Sequence, residues 1–325
     1  MNNPPTSSLL RCQGKLKSML FGIYLLTVLF IGYQSNTYYR KINITVPVTD
    51  RITLPPPLYP YLIEERTKCM RAPPFLLLLI PSPPQDSSVR DALRKTWANE
   101  SLVAGISTMR LFLLGRTLDK SAQEKVERES EIHHDIVQQD FVDSYGNLTL
   151  KTLMGFEWVY RLCPNVSYVM KVDSDMFLNP WFLVRRILEP EKPVKVRFFT
   201  GLVLVGSTPF RDKQSKWYIP PSVYPKNYYP PYCSGTGYVF SGDIAASVYK
   251  SIRTVPIFPL EDVFVGMCLE ASGIKISRTS GNLFTLERLD YNRCKFARMV
   301  TVHHYKPNDL LSLWPDFVDA VKSCS

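Results

Sequence analysis

Residues 168–175 read Tyr-Val-Met-Lys-Val-Asp-Ser-Asp: a short run of apolar and β-branched residues leads directly into two carboxylates one residue apart. Such a run suits a buried strand of parallel-sheet length, and the acids then stand where the strand ends. Ligands of open α/β sheets bind at those carboxyl ends. Upstream, Phe75–Ile80 (FLLLLI) is an unbroken apolar run of the same length. After a Pro-rich turn, Ser88-x-x-Asp91 resembles a capping box opening a helix that runs through Trp97. The pattern continues with a strand at Met109–Leu114, a charged helix near Ser121–Ile132 and a helix from about Leu148 to Leu162. Strands alternating with helices predict an α/β fold.

The chain has 325 residues, 45% apolar and 21% charged, enough to bury a full core and unlike a disordered sequence. Its net charge is +10, but the first 17 residues hold Arg11, Lys15 and Lys17 with no acid, and residues 40–71 hold six bases against three acids. About +4 belongs to residues 72–325, an ordinary excess that suits an anionic ligand and gives no reason to expect nucleic acid as a partner.

No charged residue lies between Lys17 and Arg40, and Met19–Tyr33 is almost wholly apolar. That length just spans a bilayer, and the preceding positive charges place the amino terminus in the cytoplasm. A cleaved signal peptide is the alternative, although no small-x-small cleavage pattern follows. The expected organisation is a cytoplasmic tail at 1–17, a transmembrane signal-anchor at 18–39, a Pro-rich lumenal stem at 40–72 and a folded domain at 73–325. With Cys12 on the cytoplasmic side, an even number of cysteines remains beyond the membrane: Cys69, Cys163, Cys233, Cys268, Cys294 and Cys324. Without a C-x-x-C pair they point to structural disulfides, not zinc, and their pairing stays open. Sequons at Asn43, Asn99, Asn147 and Asn165 agree with translocation.

Four segments carry groups capable of chemistry. Asp173 and Asp175 supply hard oxygen ligands suited to Mn or Mg bound to a diphosphate, although an isolated D-x-D is more often a solvated turn. Glu261-Asp262 opens a helix running to Ala271, where acids usually act as caps; as a cap Asp262 would have a lowered pKa and be a modest base. His303 and His304 follow the apolar run Met299–Val302. In an extended strand one would project from the strand end while the other faced away, as a structural residue or a metal ligand. Tyr228–Tyr238 (YYPPYCSGTGY) combines aromatic faces with permissive glycines, fitting either a sugar site or a rigid core loop.

Taken together, these segments resemble the β1,3-galactosyltransferase family, inverting enzymes that extend glycans in the Golgi. The similarity covers most of residues 69–320. It rests on Arg90-x-x-x-Arg94-x-Thr96-Trp97, on Phe112-Leu113-Leu114-Gly115, and on Asp140-Phe141-x-Asp143-Ser144-Tyr145-x-Asn147-Leu148-Thr149-Leu150-Lys151-Thr152. Further on come Lys171-x-Asp173-Ser174-Asp175, Ser215-Lys216-Trp217-Tyr218, Tyr229–Ser241, Glu261-Asp262-Val263 with Gly266, and Val302-His303, all in the family's order. Pro81–Asp86 is richer in proline than the family pattern, and Ala98 replaces a usual Gly.

The resemblance implies a GT-A-type nucleotide-sugar-binding fold with a mixed, mainly parallel central sheet, preceded by a single transmembrane helix and stem. It implies Mn2+ held by Asp175 and His303, with Asp262 as general base and Glu261 as its support. Donor contacts would come from Arg90, Arg94, Lys171, Asp173, Gly235 and Gly237. The expected enzyme is a single-pass type II Golgi membrane protein whose lumenal domain transfers galactose from UDP-galactose to terminal N-acetylglucosamine of glycans in β1,3 linkage. One alternative transfers N-acetylglucosamine from UDP-N-acetylglucosamine; another, of a different class, is a catalytically silent membrane-anchored sugar-binding protein. Glycans are expected at Asn43, Asn99 and Asn165. Asn147 lies in a motif that should start a core helix and is the doubtful sequon.

Overall fold

The computed structural model describes residues 58–70, 72–279 and 281–324. The segment expected to be a transmembrane anchor at 18–39, and Asn43, lie outside the described residues. Among the described residues no helix is long and apolar enough to cross a membrane.

The apolar run becomes strand β2 (Leu76–Pro81), the fourth of seven strands in the main sheet. Its alternate side chains serve two cores. Leu77 and Leu79 pack on one face with residues of α3 (Leu148–Leu162), α4 (Asp243–Ser251) and α5 (Glu261–Ala271). Leu76, Leu78 and Ile80 pack on the other with α1 (Ser87–Lys95), α2 (Lys120–His133) and α6 (Pro307–Ser323). A central strand covered on both faces has no polar side to alternate with, hence the unbroken run.

The remaining strands are β1 (Tyr61–Ile63), β3 (Thr108–Arg116), β4 (Ile136–Val142), β5 (Tyr168–Val172), β7 (Phe199–Leu204) and β8 (Tyr232–Ser241). The order is β1-β4-β3-β2-β5-β8-β7. β4, β3, β2 and β5 are parallel, whereas β1, β8 and β7 each run antiparallel to their neighbours. This is the mixed, mainly parallel sheet expected. From β2 the chain builds outward through β3 and β4, then returns to place β5 on the other side of β2. The reversal of strand order therefore lies between β2 and β5, and the crevice beyond their carboxyl ends is the natural ligand site. A three-stranded sheet of β6 (Phe177–Leu178), β10 (Thr301–Val302) and β9 (Phe284–Thr285) flanks that edge.

The domain begins earlier than residue 73. Tyr61–Ile63, within the expected stem, pairs with β4, and the Trp158 indole donates to Glu64 O at 2.6 Å. Long-range pairing of three residues leaves no periodic signature in a Pro-rich stretch. A chain starting at Arg66 should therefore unfold about 1–3 kcal/mol more easily than one starting at Pro56, because it strands a buried indole N–H. Equal denaturation midpoints for the two would return this segment to the stem.

Cys69 is bonded to Cys163 and Cys294 to Cys324, while Cys233 and Cys268 are free and buried. Burial pushes the Cys268 thiol up to about 12, so it stays protonated and inert. Asn99 and Asn165 are exposed. Asn147 donates its amide to Val142 O, and Thr149, the hydroxyl of that sequon, is buried and donates to Phe258 O. Both groups of the doubtful sequon are thus engaged within the domain.

Candidate active site

At the carboxyl end of β5, Asp173 and Asp175 enter a network assembled from four parts of the chain. The Lys171 ammonium, buried beneath them, donates to Asp173 Oδ1 at 2.6 Å and to Gly235 O, and lies 3.5 Å from Glu261 Oε2. An ammonium has three donors, and three acceptors surround this one. Burial alone would lower its pKa, but the carboxylates of Asp173 and Glu261 outweigh that and raise it. Lys171 is therefore a charged tie between the D-x-D turn and β8.

Across β8 the acid pair opens α5. Tyr238 donates its hydroxyl to Glu261 Oε1 at 2.6 Å, on the side away from Lys171. Asp262 accepts from Gly235 N at 3.1 Å and from Val263 N at 2.9 Å. Only glycine fits at 235: a Cβ there would lie 2.8 Å from Glu261 Oε2, whose carboxylate is pinned from two sides. The expectation of a lowered Asp262 pKa is corrected. Burial raises it, against the pull of the two backbone N–H groups and of Lys171, because β8 packs over the helix end and removes water from the carboxylate.

Asp175 reaches a different partner. β6 begins just after it and pairs antiparallel with β10, Phe177 opposite Val302, so His303 emerges beside the D-x-D turn. His303 Nε2 lies 3.3 Å from Asp175 Oδ2, while Nδ1 donates to Leu286 O at 3.0 Å. Two backbone ties fix the turn: Tyr305 N donates to Asp175 O, and the Trp97 indole donates to Met176 O at 2.8 Å. Sequence reading gave Trp97 no role outside its family motif, and placed Tyr238 in an aromatic, Gly-containing run that fits either a sugar site or a rigid core loop. His304 does not face away as alternation predicts. Its φ of 63° leaves the extended region, and its ring stacks on that of His303 with centroids 3.7 Å apart.

The two arginines expected on the donor side have other occupations. Arg90 is fully buried and spends all five donors: two on Glu129, and the rest on Ser82 Oγ, Pro83 O and Pro84 O. Lys151, held to Asp143, adds a bond to Ser82 O. The Pro-rich turn after β2 is thus fastened by two buried cations acting on its carbonyls, and Arg90 shapes this wall of the crevice without a donor to spare for a ligand. Arg94 forms a two-bond fork with Asp135, at 2.9 and 2.8 Å, and also binds Glu129 and Asp91. Asp135 precedes β4 at its amino end, so Arg94 lies toward the edge opposite the crevice. Gly237 lies within β8, where an added Cβ would meet Met170 and Thr301 only at ordinary contact distance.

The β7–β8 connection adds aromatic surface near the exit of β4. Exposed Trp217 donates its indole to Tyr145 OH at 3.2 Å and packs against exposed Phe210, with Lys216 over the Trp217 ring.

Residues 88–280 match the family model described as Galactosyltransferase. Beta-1,3-galactosyltransferase 1 of Mus musculus is 44% identical over 261 residues, covering 80% of this chain and 79% of that protein. Beta-1,3-galactosyltransferase 2 of Homo sapiens is 44% identical over 259 residues, 79% of this chain and 61% of its own length, so the match spans about three fifths of that relative. The solved apo structure of the bifunctional glycosyltransferase WbbM covers 76% of this chain and 50% of its own at 9% identity, with a TM-score of 0.39.

Proposed function

Because the chain belongs to the galactosyltransferase family, we propose that it transfers galactose from UDP-galactose to terminal N-acetylglucosamine of glycans, in β1,3 linkage with inversion, as a membrane-anchored enzyme of the Golgi lumen with a GT-A-type fold. The observation that carries this reading is the convergence of Asp173, Lys171, Gly235, Glu261 and Asp262 in one hydrogen-bonded network, with Asp175 and His303 at its margin. It stands at the strand-order reversal, where an α/β sheet receives a nucleotide.

Asp262 is the group suited to remove the acceptor proton. Its carboxylate is oriented by two backbone N–H groups, and its raised pKa makes it a stronger base than a surface aspartate. As the acceptor hydroxyl oxygen bonds to the anomeric carbon from the face opposite the leaving group, its proton passes to Asp262 and the carbon–oxygen bond to the diphosphate breaks. Lys171 and Glu261 hold the backbone that aims Asp262. Trp217, Tyr145 and Phe210 offer ring faces on which an acceptor sugar can stack.

Asp175 and His303 suit a divalent cation. Their ligand atoms converge, and His303 donates its other ring nitrogen to a backbone carbonyl, the arrangement that fixes a ligating imidazole. Mn2+ bound there would supply positive charge against the departing diphosphate.

Incubating the purified chain with Mn2+, an N-acetylglucosamine-terminated acceptor and either labelled donor tests the reading. Galactose should appear on the acceptor in a linkage cleaved by a β1,3-specific galactosidase. Transfer of N-acetylglucosamine instead, or of neither sugar, would overturn it.

A further inference from the structure

We infer that His304 is a second imidazole ligand of the cation site, making the protein's contribution one carboxylate and two nitrogens and biasing the site toward later first-row metals. The inference rests on the reading of Asp175 and His303 as metal ligands, and adds a residue and a selectivity to it.

Consecutive residues leaving a strand should point to opposite sides. His304 escapes this by adopting a left-handed backbone, uncommon for a residue with a Cβ. The conformation is held on both sides: Arg288, itself paired with Asp309, donates to His304 O, and the next residue, Tyr305, donates its N–H to Asp175 O. As a result the two imidazoles are nearly parallel, 20° apart, and lie together over Asp175. Ligand atoms of Asp175, His303 and His304 fall within 4.8 Å of one another, and among the described residues no other group of three His, Cys, Asp or Glu has this arrangement. His303 is the more buried of the two and has its tautomer fixed by Leu286 O; His304 is exposed at the rim.

Adding a neutral nitrogen donor favours Co2+, Ni2+ and Zn2+ over Mn2+, which is better served by oxygen. The test uses Co2+ and Mn2+ alone as probes of the purified full chain, by calorimetry and, for Co2+, by visible absorption. His304→Asn removes the imidazole and keeps a residue that tolerates the left-handed backbone. It should weaken Co2+ binding about 10-fold or more, change the Co2+ absorption band, and leave Mn2+ affinity within about 3-fold, so that the preference for cobalt shrinks. Unchanged Co2+ affinity and spectrum in His304→Asn, with binding lost in Asp175→Asn, would overturn the inference and leave the underlying metal site standing. If Asp175→Asn and His303→Gln bind both ions like wild type, the site itself is misplaced and the inference falls with it. A thermal melt of each variant establishes that the protein measured is folded.

Discussion

Asp262→Asn should turn over at about one hundredth of the wild-type rate or less, with the loss in kcat and little change in the KM for the nucleotide-sugar donor. The carboxylate accepts two backbone N–H bonds, one on each oxygen, from Gly235 and Val263. A carboxamide offers one oxygen, so either orientation turns an NH2 toward an N–H, and stability should fall by about 1–2 kcal/mol. That structural cost does not separate a base from a cap; the pH profile does. Wild-type activity should decline on the acid side as Asp262, whose pKa burial raises, takes up a proton. The residual rate of the asparagine variant should show no such limb. A variant within about 3-fold of wild-type kcat would reduce Asp262 to a structural residue.

Asp135→Ala should cost about 3–5 kcal/mol in denaturant-induced unfolding, among the largest losses a single substitution produces. The Asp135 side chain is fully buried and binds Arg94 twice and Arg110 once, at 2.8 Å. Removing it leaves two cations facing a cavity: Arg94 keeps Asp91 and Glu129, the latter already shared with Arg90, and Arg110 keeps only one acid, Glu100, 4.0 Å away. Burial alone would raise the Asp135 pKa, but the two guanidinium groups prevail and hold it below the usual carboxylate range. Its contribution is therefore present in full above the unfolded-state value, near pH 4, and is lost as the pH falls through the lower folded-state value. Substrate KM of the folded fraction should not change, because the network lies at the amino end of β4. A loss below about 1 kcal/mol would show that the remaining acids compensate.

The parts of this fold legible in the sequence are those with a one-dimensional signature: the unbroken β2, the strand before Asp173, and α3 from Leu148 to Leu162 as expected. β4 was not seen because Gln138 and Gln139 interrupt its apolar pattern. Both are buried, and Gln138 is satisfied by Gly115 O and Gln123, partners that only the tertiary structure reveals. The edge strand β1 and the antiparallel β7 and β8 likewise owe their form to distant pairing. Of the candidate site, Asp173, Asp175, Asp262 and His303 are brought to one edge of the sheet, whereas Arg90 and Arg94 are taken up chiefly by Glu129 and Asp135, whose proximity no spacing discloses. The Asp262 pKa moved opposite to expectation because helix position can be read locally and burial cannot. His304 was misplaced for a similar reason: alternation assumes an extended backbone, and one left-handed residue cancels it.

The pairing of β6 with β10 also sets when His303 can join Asp175. Synthesis proceeds from the amino end, and by residue 241 every strand of the main sheet has been made, with the D-x-D turn and Gly235 already in place. Asp262 follows within α5. His303 comes only with the closing segment, which docks through a two-residue pairing onto β6 and is clasped by the Cys294–Cys324 bridge. A nascent chain halted near residue 290 would contain every strand of the main sheet and Asp262 yet lack His303, so the proposed pairing of Asp175 with His303 around a cation could form only after the closing segment has been made.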